Sequence, residues 1–301
     1  MFELKNEKIA IPVVLFAGLL WSFGPLIVRY MDQPGSVPWQ YIFARGLTIF
    51  VVLNLYLYFE EGKKFYKNYF KVGISGLIGG CGLGIAMVTF IYSITNTTAA
   101  ITLLCLAAMP FFTALLGFLF LKEKISFNVW VAIIIATIGI IIIALGNTEK
   151  NSLIGLIFGM TSSIGFSVFS VTLRWRKDTP KFTTVALAGL FCVLIASIFL
   201  IMNKSAFFST SYNGSLFSLH GTIVCIGLIL YSIGSKAIPA AELTLLSLTE
   251  VIGGIFWVWL PFFGINEIPA ANTIIGGFFL FMSIIYYSLT IKTNRRFIAL
   301  N

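Results

Sequence analysis

Two charged residues, Glu250 and Arg45, fall within long apolar stretches of this chain. Glu250 stands ten residues after Ala240, about 15 Å along a helix and near the middle of a bilayer core about 30 Å thick. A carboxylate at that depth is costly unless it is protonated, paired or facing water or protein, and such residues often mark ion, proton or substrate pathways. We expect Glu250 to face a bundle interior and to bind a cation or carry a proton. Packing as a neutral acid is the alternative.

Arg45 lies seven residues inside its apolar stretch, about 10 Å deep. Its planar guanidinium is suited to hold a substrate carboxylate through two parallel hydrogen bonds. The alternatives are snorkelling to the membrane surface or pairing with another helix. One buried group of each sign is consistent with a zwitterionic or cationic substrate.

Further candidates for substrate binding or coupling share helix faces or apolar runs with these two residues. Aromatic faces attract ammonium groups by about 1–2 kcal/mol each when dry, although packing and interfacial belts are the commoner roles of such residues. His220, by contrast, is predicted to be an interface residue near the outer end of its span. The candidates are Trp21, Tyr92, Met109, Tyr231, Ser247 and Trp257.

The composition indicates a membrane protein. The 301 residues are 58% hydrophobic and 10% charged, against about 25% charged in average soluble domains. Cysteine spacing suggests neither a metal site nor a disulfide, and no phosphate-binding lysine loop is present. The sequence therefore predicts no cofactor, no metal and no ATP-driven motor.

Apolar runs of membrane length recur along the chain and predict an all-α fold with ten transmembrane helices. The predicted spans are 10–29, 39–59, 72–93, 98–121, 127–146, 152–173, 183–203, 219–236, 240–262 and 269–290.

The basic residues set the predicted orientation. With the N-terminus in the cytoplasm, 16 basic residues fall in inside segments and 3 in outside segments, as the positive-inside rule requires. Both termini are then cytoplasmic, and the net charge of +9 reflects topology rather than nucleic-acid binding. The inside residues are Lys5, Lys8, Lys63, Lys64, Lys67, Lys71, Lys122, Lys124, Arg174, Arg176, Lys177, Lys181, Lys236, Lys292, Arg295 and Arg296; the outside ones are Arg29, Lys150 and Lys204.

The two halves, 1–147 and 148–301, resemble each other. Trp21-Ser22-Phe23 aligns with Phe166-Ser167-Val168 at an offset of 145, and Ala99-Ala100 aligns with Ala240-Ala241 at an offset of 141. Each half holds five predicted helices, so the second half is inserted upside down relative to the first. Inverted repeats of this kind are typical of secondary transporters, with the substrate site at the repeat interface.

The fourth span reads TTAAITLLCLAAMPFFTALLGFLFLKE and the ninth AAELTLLSLTEVIGGIFWVWL. These segments resemble the EamA-type family of the drug/metabolite transporter superfamily, and the resemblance covers residues 10–290 as two copies. It implies ten helices around a central cavity, alternating access, and export or uptake of small metabolites. The chain departs from the family where Glu250 precedes Val251 instead of proline, and around Pro261-Phe262-Phe263, where it is longer.

Together these features predict a secondary active transporter of a small polar metabolite, such as an amino acid, an amine or a related zwitterion. Proton coupling and substrate exchange both remain open. The expected partners are the metabolite, the lipid bilayer and protons, in a multi-pass monomer or homodimer of the bacterial inner membrane. An integral membrane enzyme acting on a lipid-linked or small substrate is the main alternative, and a channel is the weaker one.

Overall fold

The computed structural model describes residues 6–123, 125–146, 153–176, 178–265, 268 and 271–298, and all regular elements within them are helical. The α-helices are α1 Glu7–Trp21, α2 Phe23–Tyr30, α3 Pro38–Glu61, α4 Lys67–Lys71, α5 Gly73–Asn96, α6 Ala99–Leu106, α7 Met109–Leu116, α8 Phe127–Gly146, α9 Leu153–Trp175, α10 Lys181–Met202, α11 Ser211–Gly234, α12 Ala240–Leu246, α13 Thr249–Trp259 and α14 Ala271–Ile298. Short 3₁₀ turns occupy Pro34–Ser36, Gly62–Tyr66 and Pro261–Phe263, and a π-helical turn occupies Gly117–Leu121.

Eight helical segments of the described residues are long and apolar enough to cross a membrane. Two shorter apolar stretches, Phe127–Ile142 and Ile274–Tyr287, coincide with the fifth and tenth predicted spans. Large apolar side chains point outward on many helices; Phe16 is 52% exposed and Ile198 53% exposed. Such surfaces are stable only in lipid, so the protein is a multi-pass integral membrane protein. The count of ten spans and the inverted insertion of the second half remain predictions.

Three of the predicted spans are interrupted helices. The first breaks at Ser22, between α1 and α2; the fourth breaks between α6 and α7; the ninth breaks between α12 and α13. Pro25 and Pro110 follow the first two breaks and remove a backbone donor there, whereas no proline lies at the third. Under the predicted offset of 141, the breaks in the fourth and ninth spans fall within one residue of each other.

The helices cross closely where glycines face each other between the two halves. Helix α5 packs along α9, α3 packs against α10 and α11, α1 packs on α11, and α8 pairs with α14. A Cβ on Gly165 would lie 2.6 Å from the carbonyl of Gly82, and one on Gly46 would lie 2.8 Å from the carbonyl of Gly189. Small residues at these crossings allow van der Waals packing that larger side chains would prevent.

Several of the predicted inside segments meet at one end of the bundle, here called the basic end and marked by Glu123, Arg174, Lys181 and Ser235. Arg174 Nε donates to Glu123 Oε1 at 2.6 Å, and its Nη1 donates to the carbonyls of Ser235 and Ile238 at 3.0 and 2.7 Å. Lys181, predicted to be a loop residue, is instead buried at the first position of α10, and its Nζ donates to Ser235 Oγ at 2.6 Å.

Some of the charges used for the topology prediction lie outside the described residues. These are Lys5, Lys124, Lys150 and Lys177. Lys292, Arg295 and Arg296 lie in α14, but their side chains are outside the described part of the structure. The cytoplasmic location of the termini therefore remains a prediction.

Candidate substrate site

A cavity of about 60 Å³ lies between the two halves of the chain, where α1, α3, α5, α6, α7, α9, α11 and α13 meet. This volume is enough for a few water molecules. Its walls are mostly aliphatic and aromatic, and four polar side chains reach it: Arg45, Ser162, His220 and Glu250. A largely apolar wall with a few convergent polar groups is the usual character of a small-molecule site.

Arg45 is buried on α3, with only 5% of its surface exposed. Its Nε and Nη1 atoms have no hydrogen-bond partner, and no carboxylate of the described residues lies within 4.0 Å of its nitrogens. The Cζ atom of Arg45 lies 5.6 Å from the centroid of the Phe90 ring. A buried guanidinium without a hydrogen-bonded counterion is costly.

Glu250 is 9% exposed and lies in the first turn of α13, directly after the break in the ninth span. The backbone passes from α12 into α13 through a tight turn, in which the Glu250 amide donates to the carbonyl of Ser247 at 2.9 Å. The break thus brings a helix end and a carboxylate to the cavity wall, on the half of the chain opposite Arg45.

His220 extends from α11 into the same cavity and is 2% exposed. Its Nδ1 atom forms a short hydrogen bond with the hydroxyl of Tyr41. Tyr41 and Arg45 are four residues apart on α3 and so share one helix face.

An aromatic layer of Trp21, Phe166, Phe169 and Tyr231 lies between the cavity and the basic end. Trp21 packs edge-on against Phe166, with ring centroids 5.6 Å apart, and in a tilted arrangement against Tyr231 at 5.5 Å. Its Nε1 donates to the carbonyl of Val224 at 3.2 Å. A Cβ on Gly227 would lie 2.1 Å from that nitrogen, so glycine is required for the indole to fit.

The structure places four of the eight predicted site residues in the cavity wall: Trp21, Arg45, Met109 and Glu250. The other four pack around it. Tyr92 contacts Trp39 and Phe158, and Ser247 donates to the carbonyl of Thr244. Trp257 Nε1 donates to Ser22 Oγ at 2.8 Å, and Tyr231 bonds Ser170 in the aromatic layer.

Two polar cavity residues, Ser162 and His220, were not among the predicted site residues. The eighth span was predicted to start at residue 219, which put His220 at the membrane surface. The helix instead begins at Ser211, where the Thr210 hydroxyl accepts from the Asn213 amide at 3.2 Å. His220 therefore lies nine residues into the helix, about 14 Å from its start. Thr210 is of a residue type that often caps helix N-termini and precedes a long helical run, so it could have indicated the earlier start of this helix.

Comparison with known proteins confirms the predicted family resemblance. Residues 8–145 match the model of the EamA-like transporter family. The chain is 27% identical over 184 residues to an "Uncharacterized transporter" of Helicobacter pylori strain J99, a match that spans about 60% of each chain. It is 23% identical over 219 residues to the "Pseudopaline exporter CntI" of Pseudomonas aeruginosa strain PAO1, spanning 72% of this chain and 75% of the exporter.

A solved crystal structure shares the fold. It superposes with a TM-score of 0.76 over 96% of this chain and 99% of its own, at 16% sequence identity.

Proposed function

We propose that this protein, whose residues 8–145 match the model of the EamA-like transporter family, is a secondary active carrier of a small polar metabolite. The observation that supports this most directly is the cavity between the two halves, with Arg45 and Glu250 in its wall. An amino acid, an amine or a related zwitterion offers groups complementary to these residues.

Glu250 is the proposed cation-binding or coupling group. Its carboxylate faces the cavity beside the N-terminus of α13 and can pair with an ammonium group or take up a proton. If substrate and proton compete for this carboxylate, loading one releases the other. That competition would couple transport to a proton gradient, whereas transport without proton binding would be exchange of one substrate for another.

Alternating access requires the basic end to open. At that end the ion pair of Glu123 with Arg174 joins the two halves, because Glu123 belongs to the first half and Arg174 to the second. Glu123 Oε2 also accepts from the amide of Ala240 at 3.3 Å, at the start of α12. Opening toward this end would separate these groups, and the interrupted spans provide places for the helices to bend.

The relatives support a transport role, because one carries the name of an exporter of pseudopaline and another the name of a transporter. We propose a location in the bacterial inner membrane, with the basic end toward the cytoplasm as the basic residues predict. We propose export or uptake of a metabolite by this chain without extending the pseudopaline specificity to it.

A membrane enzyme is the competing function. Such an enzyme needs several converging acid, base or metal-binding groups, and the described residues contain no cluster of three His, Cys, Asp or Glu side chains that could hold a metal. Reconstituted protein should separate the two functions. A carrier exchanges labelled substrate for unlabelled substrate across liposomes and leaves it chemically unchanged; conversion to a product without counterflow would favour the enzyme.

A further inference from the structure

We propose that Tyr41, Arg45 and His220 form a subsite for the carboxylate of the substrate, so that the carrier takes amino acids in preference to amines that lack a carboxylate. This inference rests on the proposed carrier function and names the class of substrate within it.

The hydrogen bond between Tyr41 and His220 orients the imidazole. Tyr41 is fully buried, and His220 Nδ1 is the only hydrogen-bond partner of its hydroxyl among the described residues. A buried phenol hydrogen requires an acceptor, so Tyr41 donates to Nδ1. The neutral imidazole then carries its proton on Nε2.

His220 Nε2 has no hydrogen-bond partner among the described residues. His220 forms part of the cavity wall, and a Cβ on Gly24 would lie only 2.8 Å from Nε2. Because position 24 is glycine, the imidazole can pack closely against α2 at the cavity wall. A Cβ on Gly221 would lie 3.1 Å from the carbonyl of Arg45. Glycine at this position therefore lets α11 approach α3 closely, which brings His220 near Arg45.

The polar groups at this end of the cavity are therefore donors. Arg45 contributes the unpartnered Nε and Nη1 atoms, and His220 contributes Nε2–H. A planar carboxylate accepts two bonds from a guanidinium and has lone pairs remaining for a third donor. An ammonium group would instead meet a positive charge and further donors here, so it belongs at Glu250.

The charges also balance with a zwitterion. The cavity wall carries one cation, Arg45, and one anion, Glu250, and an amino acid supplies one opposite charge to each. A simple amine leaves Arg45 buried without a counterion, which costs free energy in a dry site. The neighbouring walls, which include Met87, Phe90 and Leu106, favour an apolar side chain on the substrate.

Ligand-dependent thermal unfolding of the full chain in detergent tests this subsite, because a bound ligand raises the unfolding midpoint by mass action. The probes are L-leucine, L-methionine and L-phenylalanine, their carboxamides, and inorganic phosphate. We expect at least one acid to bind wild-type protein about tenfold more tightly than its carboxamide, the difference of a charge-assisted hydrogen bond. We expect phosphate to have no effect. Equal binding of every acid and its amide, or no binding of any acid, would overturn the subsite, as would stabilisation by phosphate.

Three variants locate the effect at the histidine. Tyr41→Phe keeps the ring and should reduce the preference for acid over amide severalfold, because the imidazole loses its orienting bond. His220→Leu should abolish the histidine's share of the preference, and His220→Gln, which retains a donor near the Nε2 position, should restore part of it. Tyr69→Phe is the matched control: it removes a tyrosine hydroxyl bonded to Asn54 at 2.8 Å, away from the cavity. Loss in the control equal to that in Tyr41→Phe would contradict the assignment.

Failure of this subsite and failure of the carrier function give different results. Acid-selective binding that Tyr41→Phe weakens, without counterflow in liposomes, would retain the subsite and reject the carrier. Counterflow that does not distinguish an acid from its amide would retain the carrier and reject the subsite.

Discussion

Arg45 and Glu250 lie in the wall of one cavity, on opposite halves of the chain, and no ion pair joins them. A directly paired arginine and glutamate would neutralise each other without a ligand. Held apart, each is available to a substrate group of opposite charge. This separation is the basis of the substrate site that we propose between the two halves.

The unpartnered charge predicts that Arg45→Met leaves the ligand-free protein as stable as wild type or raises its apparent unfolding midpoint. Methionine keeps much of the side-chain volume and removes a buried cation whose Nε and Nη1 lack partners, and with it the free-energy cost of burying that charge. The same variant should lose ligand-induced stabilisation. A large fall in the ligand-free midpoint would show that Arg45 has a structural partner.

Arg174 offers the opposite case. Its Nε bonds Glu123 at 2.6 Å, and the two side chains are 25% and 22% exposed. In a double-mutant cycle of Arg174→Gln and Glu123→Gln, we expect a coupling of about 1 kcal/mol in the free energy of unfolding, a value discounted for partial exposure. The exposed Arg176→Gln should change little. If the effects of the two mutations on the free energy of unfolding are additive, the two side chains do not stabilise each other. The pair would then not hold the two halves together at the basic end.

Gly227→Ala should displace Trp21 and lower the unfolding midpoint, because the new Cβ would lie 2.1 Å from the indole Nε1. Overpacking of this kind costs about 1–3 kcal/mol. Gly214→Ala lies on the same helix, has nothing within 4 Å of the added atom, and should be neutral or stabilising by up to about 1 kcal/mol. If both substitutions lowered the unfolding midpoint equally, the cause would be a general sensitivity of α11 to alanine rather than the contact with Trp21.

The apolar runs predicted the membrane class, and the resemblance of the fourth and ninth spans predicted the family. The depth of Glu250 and Arg45 in their apolar stretches made them site candidates, and both line the cavity. The breaks in the spans were not predicted. Ser22 and Ser247 do not by themselves interrupt helices, and the break before Thr249 occurs without a proline, so tertiary packing decides there. The approach of Gly253 to Ser22, where an added Cβ would lie 2.6 Å from Oγ, is a contact between distant parts of the chain.

The role of aromatic residues was also beyond prediction from composition. Trp21 and Tyr231 were predicted as equal candidates, yet Trp21 lines the cavity and Tyr231 packs beneath it. Which aromatic residue faces a cavity depends on the rotation of each helix in the bundle. That rotation is set by neighbours such as Gly227 and Ser170, which come from elsewhere in the chain.

The coupling role of Glu250 is tested most directly by substrate accumulation in proteoliposomes under an imposed proton gradient, comparing wild type with Glu250→Gln. Glutamine keeps the shape and hydrogen bonding of the side chain but takes up no proton and pairs with no cation. The labelled probe is the L-amino acid that binds wild type most tightly. We predict that wild type accumulates it under the gradient and that Glu250→Gln folds and inserts but loses accumulation, keeping exchange if the carboxylate only carries the proton and losing exchange if it also binds the ammonium. Full accumulation by Glu250→Gln with unchanged pH dependence would contradict the account and leave Glu250 as a packing residue.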